Sequence, residues 1–204
     1  MNWLAHVFLS ENSIDYQLGN LLADPLKGKP WAGASASTQA GFAMHKIIDA
    51  YTDSHATVSQ SKARLGKKGY LKGVVIDIVY DHLLLKHWQR YSALELDRFI
   101  SDFHGNASAA IADYPAAPRA FVNGIICSHS LTRYGTFEGL ASVFQRFDQR
   151  LSPRILAKDT TTRYLPVLHQ EMDALGADFN DYFPQLVAHF KGHTAGALGH
   201  PWLK

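Results

Sequence analysis

Aspartate and histidine residues recur one helical turn apart within residues 1–90 of this 204-residue chain. His45, Asp49 and Asp53 are spaced by four residues, which would align them along one face of a helix. Asp77 and Asp81 repeat the same spacing. Imidazole and carboxylate groups together bind divalent metal ions and transfer protons. This region therefore predicts a metal-dependent catalytic site.

The segment that carries Asp77 and Asp81 is otherwise almost entirely apolar. Residues 74–85 read Val-Val-Ile-Asp-Ile-Val-Tyr-Asp-His-Leu-Leu-Leu, and a helix that is apolar on every side is normally buried. Its β-branched residues would also suit a strand, but the pattern continues without a turn signal to Trp88, so we predict a helix. Buried carboxylates need cationic partners. Histidines, among them His82, and a divalent metal would provide them.

Two further segments carry polar pairs with helical spacing. Asn2 and His6 are four residues apart, and so are Asn20 and Asp24. Each pair alone has a structural alternative, such as a helix cap or a buried ion pair. Together, four segments can face one centre. Because no thiolate is among these groups, the donor set suits Mn²⁺, Fe²⁺ or Mg²⁺ better than structural zinc.

Charge and composition limit the other functions of the chain. The net charge is only +2, which is too small by itself to indicate nucleic-acid binding. One basic cluster is either a solvated helix end or a docking surface for an acidic partner, and it comprises Lys62, Arg64, Lys67, Lys68 and Lys72.

The single cysteine indicates a reducing compartment. One cysteine, Cys127, excludes an internal disulfide, and its apolar neighbours predict a buried thiol. The first ten residues lack the cationic start of a secretory signal. No apolar run is long enough to cross a bilayer. We therefore expect a cytoplasmic protein without a membrane partner.

Helical patterns dominate the whole chain and predict an all-α, single-domain helical bundle over residues 1–204. The expected helices are 2–9, 14–23, 38–64, 70–91, 94–111, 119–129, 137–147, 160–175 and 178–190. Pro184 would mark a kink or a fresh start within the last of them.

Four motifs occur in order: Met-Asn-Trp-Leu-Ala-His at 1–6, Leu-Gly-Asn-Leu-Leu-Ala-Asp at 18–24, His-Lys-Ile-Ile-Asp-Ala-Tyr-Thr-Asp-Ser-His at 45–55 and Asp-Ile-Val-Tyr-Asp-His at 77–82. With them the chain resembles the acyl carrier protein phosphodiesterase family, which is similar to the HD-type metal-dependent phosphohydrolases. The resemblance implies an HD-like helical fold. It also implies removal of 4′-phosphopantetheine from holo acyl carrier protein with Mn²⁺ or another divalent ion. The His-Asp dipeptide of HD proteins is replaced here by the reversed Asp81-His82.

The resemblance also implies roles for individual residues. The expected metal ligands are His6, Asp24, His45, Asp49, Asp77, Asp81 and His82. Among these, the expected catalytic groups are Asp24, His45, Asp81 and His82. The expected substrate contacts are Asn2, Asn20, Lys46, Asp53 and Arg133. Lys46 or Arg133 would offset charge on the phosphate, and the basic cluster at 62–72 would dock the acidic carrier protein.

Two other functions are compatible with the same residues. One is an HD-like phosphohydrolase that acts on a nucleotide or another small phosphodiester. The other is a non-catalytic helical binding protein, in which the aspartates and histidines form a buried ion-pair network.

Overall fold

The computed structural model describes residues 1–193 and 199–204, and the all-α class is confirmed. The helices are α1 (Trp3–Phe8), α2 (Ile14–Leu22), α3 (Ala36–Ser54), α4 (Ala56–Arg64), α5 (Lys72–Lys86), α6 (Trp88–Tyr91), α7 (Leu96–Ala110), α8 (Ala116–Cys127), α9 (Phe137–Asp148), α10 (Pro153–Leu156) and α11 (Leu165–His193). Two 3₁₀ turns lie at Ile111–Asp113 and Thr162–Tyr164. Within the described ranges, β-type pairing is limited to an isolated bridge between Ser92 and Leu203.

Helix α5 lies at the centre of the structure because it is apolar on nearly every side. Val75, Val79 and Leu84 are fully buried, and α5 packs against α1, α4, α9 and α11. The prediction of a helix rather than a strand is confirmed here, although the helix ends at Lys86 and the short α6 follows. Asp77 lies on the first turns of α5, so the position of this helix sets one side of the site.

Helices α2 and α3 form the most extensive helix pair, and glycine permits their close approach. Gly19 of α2 lies against the α3 backbone, and Gly41 of α3 lies against the α2 backbone. A Cβ atom at Gly41 would lie 2.2 Å from the carbonyl oxygen of Tyr16, far inside van der Waals contact. The two helices therefore pack backbone to backbone, which brings Asn20 next to His45.

The expected helix at 38–64 is wrong in one respect, because it is two helices. His55 has an extended backbone (φ −76°, ψ 132°) and separates α3 from α4. Its ring nitrogen Nδ1 accepts a hydrogen bond from the Thr57 amide and caps α4. No glycine or proline marks this break, which is why periodicity alone extended the helix through it.

The two expected helices at 160–175 and 178–190 form one continuous helix, α11, with Pro184 inside it. Phe179, Phe183 and Leu186 around the proline are fully buried. Their packing offsets the helix-breaking tendency of proline. Neither α11 nor any other helix in the described part of the chain has the continuous apolar length needed to span a membrane.

Cys127 is exposed, which corrects the expectation of a buried thiol. It is the last residue of α8. The core-facing positions of this helix belong instead to Val122 and Ile125, which are almost fully buried. Apolar neighbours in sequence thus point to the core while the thiol at the helix end does not.

We expect Gly41→Ala to destabilise the protein by about 2–4 kcal/mol, because the added methyl group forces α2 and α3 apart. Gly105→Ala is the matched control, since it lies within α7 and a Cβ there meets nothing within 4 Å. That change should stabilise the protein by about 0.5–1 kcal/mol through helix propensity. Urea unfolding measures both values, and equal stability of the two variants would contradict the close packing.

Candidate metal and catalytic site

Two histidines and one aspartate form the centre of the candidate site. The imidazole rings of His6 on α1 and His45 on α3 are stacked, with their centroids 3.9 Å apart. Asp49 Oδ1 lies 3.3 Å from His6 Nε2, and its Oδ2 lies 3.1 Å from His45 Nε2. One donor atom from each residue lies within 4.8 Å of the others. A single divalent ion can bind donors with this spacing and chemistry.

Asn20 holds both imidazoles from behind. His6 Nδ1 donates to the Asn20 side-chain oxygen and His45 Nδ1 donates to the Asn20 carbonyl oxygen, each at 2.8 Å. The Asn20 amide donates to the His6 carbonyl oxygen and to Ser10 Oγ, which fixes its orientation. With their Nδ1 atoms engaged, both histidines direct Nε2 toward Asp49, and such hydrogen bonds commonly orient metal ligands.

The role expected for Asn20 therefore needs revision. It was predicted as a substrate contact, but it is fully buried. Its side chain bonds the imidazole of His6 rather than an open surface. We assign it to positioning the two histidines.

Two more carboxylates border this centre. Asp24, just after α2, places Oδ1 3.0 Å from His45 Nε2. Asp77 on α5 places Oδ1 3.0 Å from the amino group of Met1, which itself lies 3.7 Å from Asp49. The structure thus brings Asp24, Asp49 and Asp77 to the two imidazoles, and all three remain partly exposed.

The carboxylates control the protonation of the histidines. Burial acts to lower the pKa of His45, but its hydrogen bonds to Asp24 and Asp49 outweigh burial and raise the pKa to about 9. Burial lowers the pKa of His6, which is therefore neutral at pH 7. Burial also acts to raise the pKa of Asp49, yet the hydrogen bond from His45 holds that pKa well below its usual range. The centre favours positive charge, which is what a metal site requires.

Asp81 and His82, both expected as ligands, are not among the described donors that converge with His6, His45 and Asp49. Asp81 accepts hydrogen bonds from the amides of Leu4 and Ala5 and from the Tyr134 hydroxyl, at 2.8, 3.2 and 2.8 Å. It thereby satisfies amides at the start of α1. His82 Nδ1 donates to the Tyr134 carbonyl oxygen at 2.6 Å. Burial raises the pKa of Asp81 to about 7, against the hydrogen bond from Tyr134.

A cleft of about 420 Å³ opens beside the centre. Its polar lining includes four of the predicted residues, Asn2, Asp24, Asp77 and Arg133. Asp24 and Asp77 link the cleft to the histidine centre through the contacts given above. The volume lies in the range typical of small-ligand sites.

Sequence reasoning missed the opposite wall of the cleft. This wall comprises Phe121 of α8, Val143, Arg146 and Phe147 of α9, and Arg150 just beyond α9. Arg146 and Arg150 are four residues apart, which is a signal for one helix face. Such pairs are common on solvated helices, so spacing alone did not connect them with residues 1–90.

Two predicted substrate contacts lie elsewhere. Asp53 forms an exposed ion pair with Lys62, with 2.8 Å between Oδ1 and Nζ. Lys46 lines a shallow depression on α3 with Ile47 and Tyr51. Neither is among the described residues that line the cleft.

The structure combines an all-α fold, a centre of imidazole and carboxylate groups, and a basic cleft beside that centre. These features define the class of protein as a helical hydrolase of phosphate esters, with a donor set suited to a divalent metal. The family follows from comparison with known proteins. The family model described as acyl carrier protein phosphodiesterase matches residues 1–186. This chain belongs to that family.

Relatives align with almost the whole chain. A protein of Serratia proteamaculans (strain 568) is 30% identical over 94% of this chain and 98% of its own. A protein of Photorhabdus laumondii is 30% identical over 89% of this chain and 92% of its own. A protein of Pectobacterium atrosepticum is 25% identical over 92% of this chain and 96% of its own. All three are named acyl carrier protein phosphodiesterase. No solved structure matches the chain, so the HD-like relationship stays a prediction.

We expect metal binding at this centre to release a proton from His45. In the metal-free protein the folded-state pKa of about 9 exceeds the ordinary 6.5. The His45 ion pairs thus stabilise the fold fully below pH 6.5 and lose that contribution as the pH rises through about 9. Because a metal binds neutral imidazole, affinity for Mn²⁺ should rise about tenfold per pH unit up to the His45 pKa and then level off.

Titration calorimetry at pH 7.5 in two buffers of different ionisation enthalpy measures this release. The expected value is about one proton per ion. Mn²⁺ binding with no proton release would contradict the assignment of His45 as a ligand.

Proposed function

We propose that this chain hydrolyses the phosphodiester that joins 4′-phosphopantetheine to a serine of acyl carrier protein. Its family membership supports this reaction. The observation that carries the proposal is the convergence of His6, His45 and Asp49 beside the cleft. In the reaction, the oxygen of water bonds to phosphorus, the bond from phosphorus to the serine oxygen breaks, and a proton that comes from the water ends on the serine oxygen. The products are apo acyl carrier protein and 4′-phosphopantetheine.

The Nε2 atoms of His6 and His45 and the carboxylate of Asp49 would hold a divalent ion. Mn²⁺ is the ion we expect first, with Mg²⁺ or Fe²⁺ as alternatives, because the donors are imidazole and carboxylate without thiolate. Such an ion, when bound, supplies Lewis acidity to the phosphate and lowers the pKa of water. Asp77 adds negative charge at the border of this centre.

Asp24 is the residue best placed to receive the proton of the attacking water. Its carboxylate lines the cleft and is the most exposed of the three carboxylates around the histidines. A carboxylate this exposed is ionised at neutral pH and can therefore accept a proton. Arg133 on the cleft wall offsets negative charge on the non-bridging oxygens.

In this proposal Asp81 and His82 act indirectly, through Tyr134. Together they bond the hydroxyl and the carbonyl oxygen of Tyr134, and Arg133 is the adjacent residue. They therefore position the segment that presents Arg133 to the cleft. Asp81→Ala would leave buried amides unpaired and destabilise the fold by about 2–4 kcal/mol whether or not the protein is an enzyme. Asp49 gives the cleaner test because it is partly exposed.

We expect purified protein with Mn²⁺ to remove the prosthetic group from holo acyl carrier protein, as read by intact-protein mass. EDTA should abolish the reaction, and Asp49→Asn should lower kcat/KM at least about 100-fold through loss of a ligand. Asp102→Asn is the matched control, because this aspartate lies in an exposed ion pair with Arg98. It should retain full activity.

An unchanged carrier in the presence of folded, metal-loaded protein would contradict the proposed substrate and favour a small phosphodiester. Absence of both metal binding and turnover would favour the non-catalytic binding protein instead. Circular dichroism of each variant confirms that activity is lost without loss of fold.

The acidic carrier protein would dock on a smaller surface than residues 62–72. Arg64 is engaged by Asp178 and Glu171, and the ion pair between Lys62 and Asp53 was described above. Lys67 and Lys68 are exposed and Lys72 donates to the Gly66 carbonyl oxygen, so these three lysines carry the remaining charge. We also place the protein in the cytoplasm, where its substrate and a reducing environment for the exposed Cys127 would be found.

Tyr70 adds an apolar contact to this docking surface. Its side chain is 69% exposed, and the Lys158 ammonium lies 5.9 Å from its ring centroid. Lys72 begins α5, and Val74 on the same turn lines the cleft. Docking here would bring the modified serine to the mouth of the cleft.

We expect the double change Lys67→Glu and Lys68→Glu to raise KM for holo acyl carrier protein about tenfold at low salt, with kcat unchanged, because long-range attraction is lost. The difference should shrink at 0.5 M salt, where roughly 4 Å screening lengths apply. Lys86→Glu, an exposed lysine at the far end of α5, is the control. A KM that is equal in all three proteins would contradict this docking surface.

A further inference from the structure

Three arginines line the cleft without a carboxylate partner. Within the described ranges, no aspartate or glutamate forms an ion pair with Arg133, Arg146 or Arg150. Arg133 donates one bond to the Ser128 carbonyl oxygen at 2.6 Å, and Arg146 donates one to Ser142 Oγ at 2.7 Å. These neutral acceptors orient the side chains but leave their charge uncompensated. Most donors of each guanidinium stay available.

Outside the cleft, three arginines of the described structure are balanced by acids, and the other three, Arg90, Arg119 and Arg154, form no ion pair but are exposed to solvent. Arg64, Arg98 and Arg163 each lie within 3.4 Å of a carboxylate oxygen. The carboxylates of the cleft itself, Asp24 and Asp77, are engaged with the histidine centre and the Met1 amino group. The arginine side of the cleft therefore carries surplus positive charge, and an anionic ligand would compensate it.

The same cleft offers a partly exposed apolar wall. The Trp3 and Phe121 rings meet edge to face with centroids 5.5 Å apart, and Phe147 lies on α9 beside the arginines. These rings pack on the core without being fully buried. Large apolar groups left open inside a concave site indicate a ligand with an apolar part.

We propose that this cleft binds the 4′-phosphopantetheine arm itself. Its phosphate would lie between the histidine centre and the three arginines, and its dimethyl-bearing chain would lie along Trp3, Phe121 and Phe147. The inference rests on the proposed function and extends it, because it assigns recognition of the arm to Arg146 and Arg150. The carrier protein itself would then be recognised separately, by the surface around Lys67.

The positive charge of the cleft predicts that the released 4′-phosphopantetheine binds more tightly than the phosphodiester of the substrate. The phosphodiester in the substrate carries one negative charge, whereas the released phosphate monoester carries nearly two at neutral pH. A site with three uncompensated guanidinium groups holds the more highly charged species more tightly. Free 4′-phosphopantetheine is therefore a competitive inhibitor of the hydrolysis, and pantetheine without its phosphate is a much weaker one.

Binding of 4′-phosphopantetheine and of pantetheine to the Mn²⁺-loaded protein, each measured by calorimetry, tests the inference. Arg146→Gln and Arg150→Gln should each weaken 4′-phosphopantetheine binding about tenfold or more, the effect of one lost charge-assisted hydrogen bond. Binding of pantetheine should not change. Arg119→Gln is the control, an exposed arginine on α8 outside the cleft lining.

Equal affinity for the two ligands, or unchanged affinity in both variants, would overturn the inference. A raised KM for holo carrier with unchanged 4′-phosphopantetheine binding would also overturn it, because the arginines would then hold acids of the carrier protein. The proposed function fails separately, through absence of carrier hydrolysis by the unmodified protein. Turnover without selective binding of 4′-phosphopantetheine leaves the function standing and rejects only this assignment.

Discussion

The candidate site depends on one set of hydrogen bonds, those between Asn20 and the two histidines. The side-chain oxygen of Asn20 accepts a hydrogen bond from His6 Nδ1, and its main-chain oxygen accepts one from His45 Nδ1. The contact with His45 requires α2 to lie almost in backbone contact with α3, and Gly19 and Gly41 make this possible. The stacking of the imidazoles and the position of Asp49 follow from that arrangement. A buried amide therefore determines the geometry of a partly exposed site.

The two ends of the cleft favour ligands of opposite charge. At one end, Asp24 and Asp77 join the cleft to the adjacent imidazole centre, which favours cations, in line with the raised pKa of His45. At the other, Arg133, Arg146 and Arg150 favour anions. A phosphate ester is a group that can use both, since its oxygens accept from guanidinium groups and bind metal ions. This division agrees with the family to which the chain belongs.

The sequence alone predicts the fold class and those contacts of the site whose two residues lie one helical turn apart. His45 and Asp49 share a helix face, so their spacing predicted their contact. Asp77 and Asp81 have the same spacing, but the start of α1 lies over Asp81 and takes its oxygens. That contact joins residues more than seventy positions apart, and no local pattern encodes it. The same limit explains why the arginines of α9 were missed, since only tertiary packing brings them to residues 1–90.

The capping of α1 has a consequence for the order in which the site forms. A helix of six residues is too short to persist by itself, and its first amides are bonded by Asp81 from across the fold. His6 therefore reaches its place only after α5 has been synthesised and has docked. A divalent ion held by His6, His45 and Asp49, as proposed above, would therefore bind to the folded chain, unlike the zinc ion that nucleates a small finger domain.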